Sequence, residues 1–461
     1  MKEIHLNMHR QTIKLGLMKI VHDFFPEEDL KAAYSIQDGV FCRLANSLIS
    51  KREIKLIESR LQDWVRSGRP IAFLYHKDGY YHYEIEGKVF KSVYPAGSRP
   101  RLTEPFRLVP FSTGFIVDFS VTRRGKEKEL VLPEKLAATY EMRQRWLQNI
   151  NMELVSDINY YIASGKAMEL INISEALHEK EISQIADTIY NERRAIRIIL
   201  ISGPSSSGKT TFTQRLSTQL RVNGLRPVWL SLDNYYVNRE DTPLDKTGKY
   251  DFETINALDL KYLQKQIMQL LNEEVVETPI FDFRTGKRLK ETIPLELGPS
   301  DVLLLEGIHA LNPKLLPNIK KNTLFKIYLS ALFQLNIDLA NRVSTTDVRF
   351  IRRLIRGYHF RGHSLEDIIE MWPNVRQAET EKIFVFTEES DVMFNSSLIY
   401  EMNAQRPYAE ALLHKIKDDS PHAEMRDRFL SLLSFFQPID SSKIPLNSIL
   451  REFIGGSIYC S

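Results

Sequence analysis

The sequence predicts an α/β protein, with a parallel sheet flanked by helices on both faces in its C-terminal half and an α+β region ahead of it. Three observations predict this. A glycine-bounded segment, Gly203-Pro204-Ser205-Ser206-Ser207-Gly208-Lys209-Thr210 with Thr211 after it, lies between the apolar run 195–201 and a helical pattern. From Ala195 onward, short apolar runs alternate with helical patterns, as a parallel sheet with crossover helices requires. Between Ile71 and Val121 the chain instead shows short aromatic and β-branched runs separated by turn signals.

In chain order, Ser50 and Glu53 stand in capping-box spacing, and Ile54, Ile57, Leu61 and Trp64 then share one helical face until Gly68 stops the helix. Asp78-Gly79 between Phe73-Leu74-Tyr75 and Tyr81-His82-Tyr83 predicts a hairpin, because both turn positions must take positive φ. Pro133 opens a helical stretch in which Ile182, Ile185 and Ile189 repeat at i, i+3, i+7. The expected strands of the C-terminal half are 195–201, 228–232, 302–305 and 325–329. After the glycine-rich segment, Phe212, Leu216 and Leu220 mark a helix that ends at Asn223-Gly224.

A chain of 461 residues exceeds one compact core. The patterns divide it at 1–70, 71–193, 194–420 and a helical extension over 421–461. With 62 basic and 59 acidic residues the formal charge is +3, so no global field draws nucleic acid or membrane, and a polyanion site has to be local. Cys42 and Cys460 are the only cysteines and lie far apart, which excludes a disulfide framework and suits a reducing compartment. No apolar stretch approaches membrane length and Met1–Arg10 has no signal-peptide core, so a soluble cytoplasmic protein is expected. The patterns leave a homo-oligomer open.

The glycine-rich segment carries the chemistry of a P-loop NTPase. Glycines at both ends let the backbone turn so that several N–H groups of the segment Gly203 to Thr211 face the β-phosphate, Lys209 reaches the β/γ oxygens, and the Thr210 hydroxyl is available to Mg²⁺. Ligands of such sheets sit beyond the carboxyl ends of the strands. Asp233, just after the second strand, is therefore a candidate to deprotonate an acceptor hydroxyl, the alternative being an Asx turn capping the strand. Glu306, ending the third strand, would hold Mg²⁺, or else is a surface glutamate. Arg349, Arg352, Arg353 and Arg356 fall on one helical face, either a lid that closes over phosphates or a solvated basic face.

The Asp233 segment, Tyr250-Asp251-Phe252, Pro279-Ile280-Phe281-Asp282-Phe283, Leu305-Glu306-Gly307 and the arginine helix together resemble the uridine kinase and phosphoribulokinase family over about residues 195–420. The resemblance implies ATP as donor with Mg²⁺ and Asp233 as the base acting on a sugar hydroxyl. It implies Asp251 on the ribose hydroxyls, Phe281, Asp282 and Arg288 along the acceptor pocket, and Arg349, Arg352 and Arg353 in the closing lid. Uridine-cytidine kinases carry Y-D-F-x-x-H-x-R where this chain has Phe281 to Arg288 with Gly286 in place of the histidine. Two polar groups of the base-reading segment are thus missing, which leaves the acceptor open.

His5-Leu6-Asn7-Met8-His9, the segment Tyr34 to Phe41, and the helix from Ser50 to Gly68 resemble the second additional domain of threonyl-tRNA synthetases, which covers 1–70. His5 and His9 would share a helical face as metal or editing histidines, or are ordinary surface or core histidines; the family's later cysteine and histidine pair has no match. With the ending Asn447 to Gly456, the whole chain is similar to bacterial uridine kinase-like nucleoside kinases that bear this N-terminal region. The expected activity is transfer of the ATP γ-phosphoryl group to a nucleoside hydroxyl, uridine or cytidine first. The alternatives are an RNA-associated nucleotide-dependent regulator, to which near-neutral charge gives little support, and a kinase of another small hydroxyl metabolite.

Overall fold

The protein is described from a computed structural model that covers residues 2–36, 39–100, 105–120, 132, 134–193, 195–244, 248 and 250–459, with the side chains of residues 2–6 and 36 left aside. Pro133, Cys460, the Gln37-Asp38 pair and the His5 side chain lie outside the described residues.

Along the chain, α1 (Lys2–Phe24), β1 (Leu30–Ile36), β2 (Gly39–Leu44) and α2 (Lys51–Ser67) lead into β3 (Ala72–Lys77), β4 (Tyr80–Ile85), β5 (Lys88–Ser92), β6 (Arg107–Phe111) and β7 (Gly114–Asp118). Helices α3 (Glu134–Asn149), α4 (Val155–Ala163) and α5 (Ala167–Asn191) follow. Next come β8 (Ile198–Ser202), α6 (Lys209–Val222), β9 (Pro227–Ser231), α7 (Leu260–Leu271), β10 (Val276–Asp282), β11 (Lys287–Leu295), β12 (Val302–Glu306) and β13 (Leu324–Ser330). The rest is α8 (Thr345–Phe360), α9 (Leu365–Lys382), β14 (Val392–Asn395), α10 (Glu401–Leu413), α11 (Ala423–Leu433) and α12 (Arg451–Ile454).

Two compact units interleave in sequence. The first comprises Met1–Leu170, Leu332–Leu354 and Ile399–Ser441, the second Ile171–Ala331, Ile355–Leu398 and Ser442–Ser461. The four consecutive segments read from the sequence are therefore not the packing units. Segments far apart in the chain share a core, and local patterning carries no record of that.

In the first unit, β1, β2, β7 and β6 form one antiparallel sheet in that order, and β3, β4 and β5 form a second. The Ser50 hydroxyl accepts the Glu53 N–H while the Glu53 carboxylate accepts the Ser50 N–H, completing the expected capping box. Ile54, Ile57, Leu61 and Trp64 face a core shared with Ile13, Leu17 and Ile20 of α1. Gly16 permits this packing, since a Cβ there would stand 2.2 Å from the Trp64 ring. The Asp78-Gly79 turn has φ of 52° and 79°, as the hairpin requires.

The second unit is built on a parallel sheet of order β14-β13-β8-β12-β9. Alternation along the strands divides its core in two. Ile198, Leu200, Leu303 and Leu305 face α7 through Leu263, Ile267 and Leu270. Ile199, Ile201, Val302 and Leu304 face Ile182, Ile185 and Ile189 of α5, Phe212, Leu216 and Leu220 of α6, and Ile449 and Phe453 near the C-terminal end. Helices thus cover both faces, as predicted. Strand β14 escapes a sequence reading because it is four residues long. The antiparallel pair β10 and β11 lies apart from this sheet.

Candidate active site

Strand β8 ends at Ser202 and α6 begins at Lys209, so the glycine-rich segment spans the carboxyl edge of the central strand. Gly208 caps α6 with φ 85°, and Ser206 also takes positive φ at 60°. Gly203 is required by close approach, since a Cβ there would meet the Leu329 carbonyl and the Ser207 hydroxyl, each at 2.7 Å. The Lys209 ammonium donates to the Pro204 carbonyl at 3.2 Å, folding the side chain back across the loop. Pro204 to Thr211 thereby form one concave turn leading into the positive end of a helix.

Two carboxylates engage this turn. The Ser205 N–H donates to Glu379 Oε1 at 2.9 Å, and the fully buried Glu379 also pairs with Arg376 at 3.2 Å. The Thr211 N–H and hydroxyl both donate to Glu452 Oε2, at 3.2 and 2.9 Å. Glu379 does not stand out in the sequence, and Glu452, though within the ending 447–456, has no pattern there that ties it to the loop.

Parallel pairing puts Glu306 beside Ile201 on one side and Ser231 on the other. Burial pushes the Glu306 carboxyl up to about 7; Lys209 opposes that rise, while Asp233 and Glu452 add to it. Lys209, Asp233 and Glu306, far apart in sequence, therefore share one electrostatic neighbourhood at the carboxyl edge. The turn after β9 is capped by the Ser231 hydroxyl accepting the Asp233 N–H at 3.3 Å, so Ser231, not Asp233, fills the capping role that was the alternative for the aspartate. Glu306 is buried rather than a surface glutamate. Two carboxylates, Asp233 raising the pKa of Glu306, beside a loop whose helix opens with Lys209-Thr210, present hard oxygen donors, a donor type that suits Mg²⁺.

The segments expected to line the acceptor pocket behave differently from one another. Asp251 forms an ion pair with Lys382 of α9 at 2.5 Å. Tyr236, Phe281 and Phe283 cluster, with ring centroids 5.1 to 6.0 Å apart. The Tyr236 hydroxyl is pushed well up, by burial first and then by the negative field of Asp233, Glu253 and Asp251. Asp282 closes the β10–β11 turn, accepting from the Arg284 N–H and the Thr285 hydroxyl, both at 2.9 Å. Arg288 donates to the carbonyls of Tyr235 and Tyr236, at 3.0 Å each, and to Asp259 at 3.2 Å. Its charge clamps the turn after β9. Gly286 has φ 72°, and a Cβ there would lie 2.7 Å from the Arg239 side chain, so a histidine at this position would strain the backbone and displace Arg239.

The arginine helix departs from expectation. Arg349 and Arg352 are buried, and Arg352 is ion-paired with the equally buried Glu401 inside the first unit. A guanidinium held in this way is a packing element, and the expected face of arginines free to close over phosphates is not what α8 presents at these positions. Arg353 lies in the same unit. Arg356, one turn on, belongs to the unit of the phosphate loop and forms an ion pair with Glu452 at 2.7 Å.

A glycine-rich phosphate loop at the carboxyl edge of a parallel sheet, with a lysine and two carboxylates gathered there, defines the nucleotide-phosphate site of a P-loop protein. A family model described as the phosphoribulokinase / uridine kinase family matches residues 198–399. The uridine kinase of Lactobacillus helveticus is 33% identical over 175 residues, which are 38% of this chain and 74% of that protein. That of Bacillus velezensis is 32% identical over 178 residues, 39% and 75%. That of Mycoplasma genitalium is 31% identical over 216 residues, 47% and 90%. The chain belongs to the phosphoribulokinase / uridine kinase family, and these matches support a kinase of the nucleoside type. Residues 1–197 and 400–461 lie outside the matched family segment. No helix among the described residues is long and apolar enough to cross a membrane.

Proposed function

We propose that the protein transfers the γ-phosphoryl group of ATP to a hydroxyl of a nucleoside, with uridine and cytidine as the first acceptors to test. In this reading Lys209 and the loop amides between Ser205 and Thr211, whose own N–H groups donate to Glu379 and Glu452, bind the phosphates, and Thr210 and Glu306 would hold Mg²⁺, which when bound neutralises charge on the phosphate oxygens. Asp233 takes the proton of the acceptor hydroxyl as that oxygen bonds to the γ-phosphorus and the bond to the bridging oxygen of ADP breaks. Asp251 orients the sugar hydroxyls and Tyr236, Phe281 and Phe283 flank the acceptor. The observation that supports this reading most is the common electrostatic neighbourhood of Lys209, Asp233 and Glu306, with capping of the β9 turn carried by Ser231.

Gly286 and the commitment of Arg288 to backbone carbonyls favour a second reading, in which the same chemistry serves another small hydroxyl compound. ATP-dependent product formation across a panel of nucleosides and sugar alcohols, with Asp233→Asn beside the wild type, tests both. The expected outcome is a roughly 10²- to 10⁴-fold loss of turnover in the variant with ATP binding retained. Turnover equal to wild type would remove Asp233 from the base role, and turnover only of a compound that is not a nucleoside would replace the substrate.

A further inference from the structure

The C-terminal segment lies outside the region matched to the family, yet it reaches the phosphate loop. Its anchor is apolar. Ile449 and Phe453 are fully buried in the core that also holds Ile201 and Phe212, and a Cβ on Gly208 would come within 2.6 Å of Ile449. The segment therefore packs directly over the glycine that caps α6. From this platform Glu452 extends into the site with both carboxylate oxygens engaged. Oε2 accepts the N–H and the hydroxyl of Thr211 in the first turn of α6, and Oε1 holds Arg356 of α8 at 2.7 Å.

The charges of this bridge are specific. Burial pushes the Glu452 carboxyl up, but Arg356 and the two Thr211 donors outweigh it and hold the group below the usual carboxylate range. Glu452 and Arg356 neutralise one another, so together they add an oriented guanidinium with little net charge. Among the α8 arginines first read as a lid, Arg356 has a partner that also contacts the phosphate-loop helix. A glutamine, its carbonyl oxygen in the place of Oε2, would keep the shape of Glu452 and accept both hydrogen bonds from Thr211 while losing the charge that holds Arg356.

We propose that Glu452 is a positioning residue of the phosphoryl-transfer site, supplied by the C-terminal segment, which fixes Arg356 beside the first turn of α6 so that its guanidinium meets the charge that develops on the transferring phosphoryl group. This rests on the kinase reading. Arginines placed in this way act mainly on the transition state, so the effect falls on kcat. Misplacing such a group by about 1 Å costs roughly a hundredfold.

The experiment compares full-length wild type, Glu452→Gln, Glu452→Asp, Arg356→Ala and the double variant Glu452→Gln/Arg356→Ala, with MgATP and whichever acceptor the wild type phosphorylates. Glu452→Gln is expected to lower kcat roughly ten- to hundredfold without raising the KM for ATP, and Glu452→Asp to recover part of the loss. The double variant should be no slower than Arg356→Ala alone, because both changes remove the same interaction. Undiminished kcat in Glu452→Gln, additive losses in the double variant, or an ATP KM that rises in step with lost thermal stability would each overturn the role. A wild type that transfers phosphate to no acceptor would instead overturn the kinase reading, and this inference with it.

Discussion

His309, three residues after Glu306, is 2% exposed, with the Glu253 carbonyl as the polar group nearest in effect to its ring. Burial pushes its pKa down from 6.5 to about 4; Lys382 also lowers it, while the Glu253 carbonyl and Asp251 pull the other way. The folded protein therefore keeps the ring neutral at pH values where the unfolded chain has already bound a proton. Between pH 6.5 and 4 the unfolded state holds more protons, so this contribution to stability is complete above about 6.5 and is lost as pH falls toward 4. His309→Gln should flatten that part of the stability profile. Urea midpoints at pH 7.5 and pH 5 measure it, and an equal acid loss in wild type and variant would show that the ring does not carry the effect. The chain announces none of this, because a histidine two residues past Gly307 has the same letter whether it is solvated or sealed in. Lys209, Asp233 and Glu306 could be located beforehand because each follows an apolar run at the edge where parallel sheets bind ligands.

Elements whose cause is local were legible in their residues, and α2 is the clearest. Its capping box, its apolar face and its Gly68 stop, with φ 58°, all lie within nineteen consecutive positions, 50 to 68. Ser50→Ala removes the acceptor for the Glu53 N–H and should cost about 1 kcal/mol, measured as a lowered denaturant midpoint with an unchanged slope. No change in midpoint would mean that water or another group satisfies the helix end equally well. Helix α8 shows the opposite case. Four arginines at helical spacing look alike in sequence, but Arg352 meets Glu401, and Arg356 meets Glu452 in the other unit. What separates a packing arginine from one at the phosphate loop is a partner 49 or 96 positions away, and periodicity carries no information about it. The same holds for α9, where Glu379 and Lys382 stand one turn apart and engage Ser205 and Asp251 respectively.

At the scale of the whole molecule, the order of motifs along the chain tempts one to cut at 194–420, and the interleaved units argue against that boundary. The phosphate-loop unit takes one helix layer from before the cut and a core plug from after it. Ile182, Ile185 and Ile189 of α5, together with Ile449 and Phe453, line the sheet face formed by Ile199, Ile201, Val302 and Leu304. Full burial of an Ile or Phe side chain contributes roughly 1.5–3 kcal/mol, so losing all five removes on the order of 10 kcal/mol. A whole domain is stable by only about 5–15 kcal/mol, so the loss is comparable with the entire stability of the unit. A fragment 194–420 should therefore retain helical signal without a cooperative thermal transition and should be cut rapidly by protease. Loss of Glu452 with the same cut would separate Arg356 from the first turn of α6 even if the sheet survived. A sharp unfolding transition in the fragment, at a temperature near that of the full chain, would show that the sheet, α6 and α7 suffice as a core and that the terminal segments only cover it.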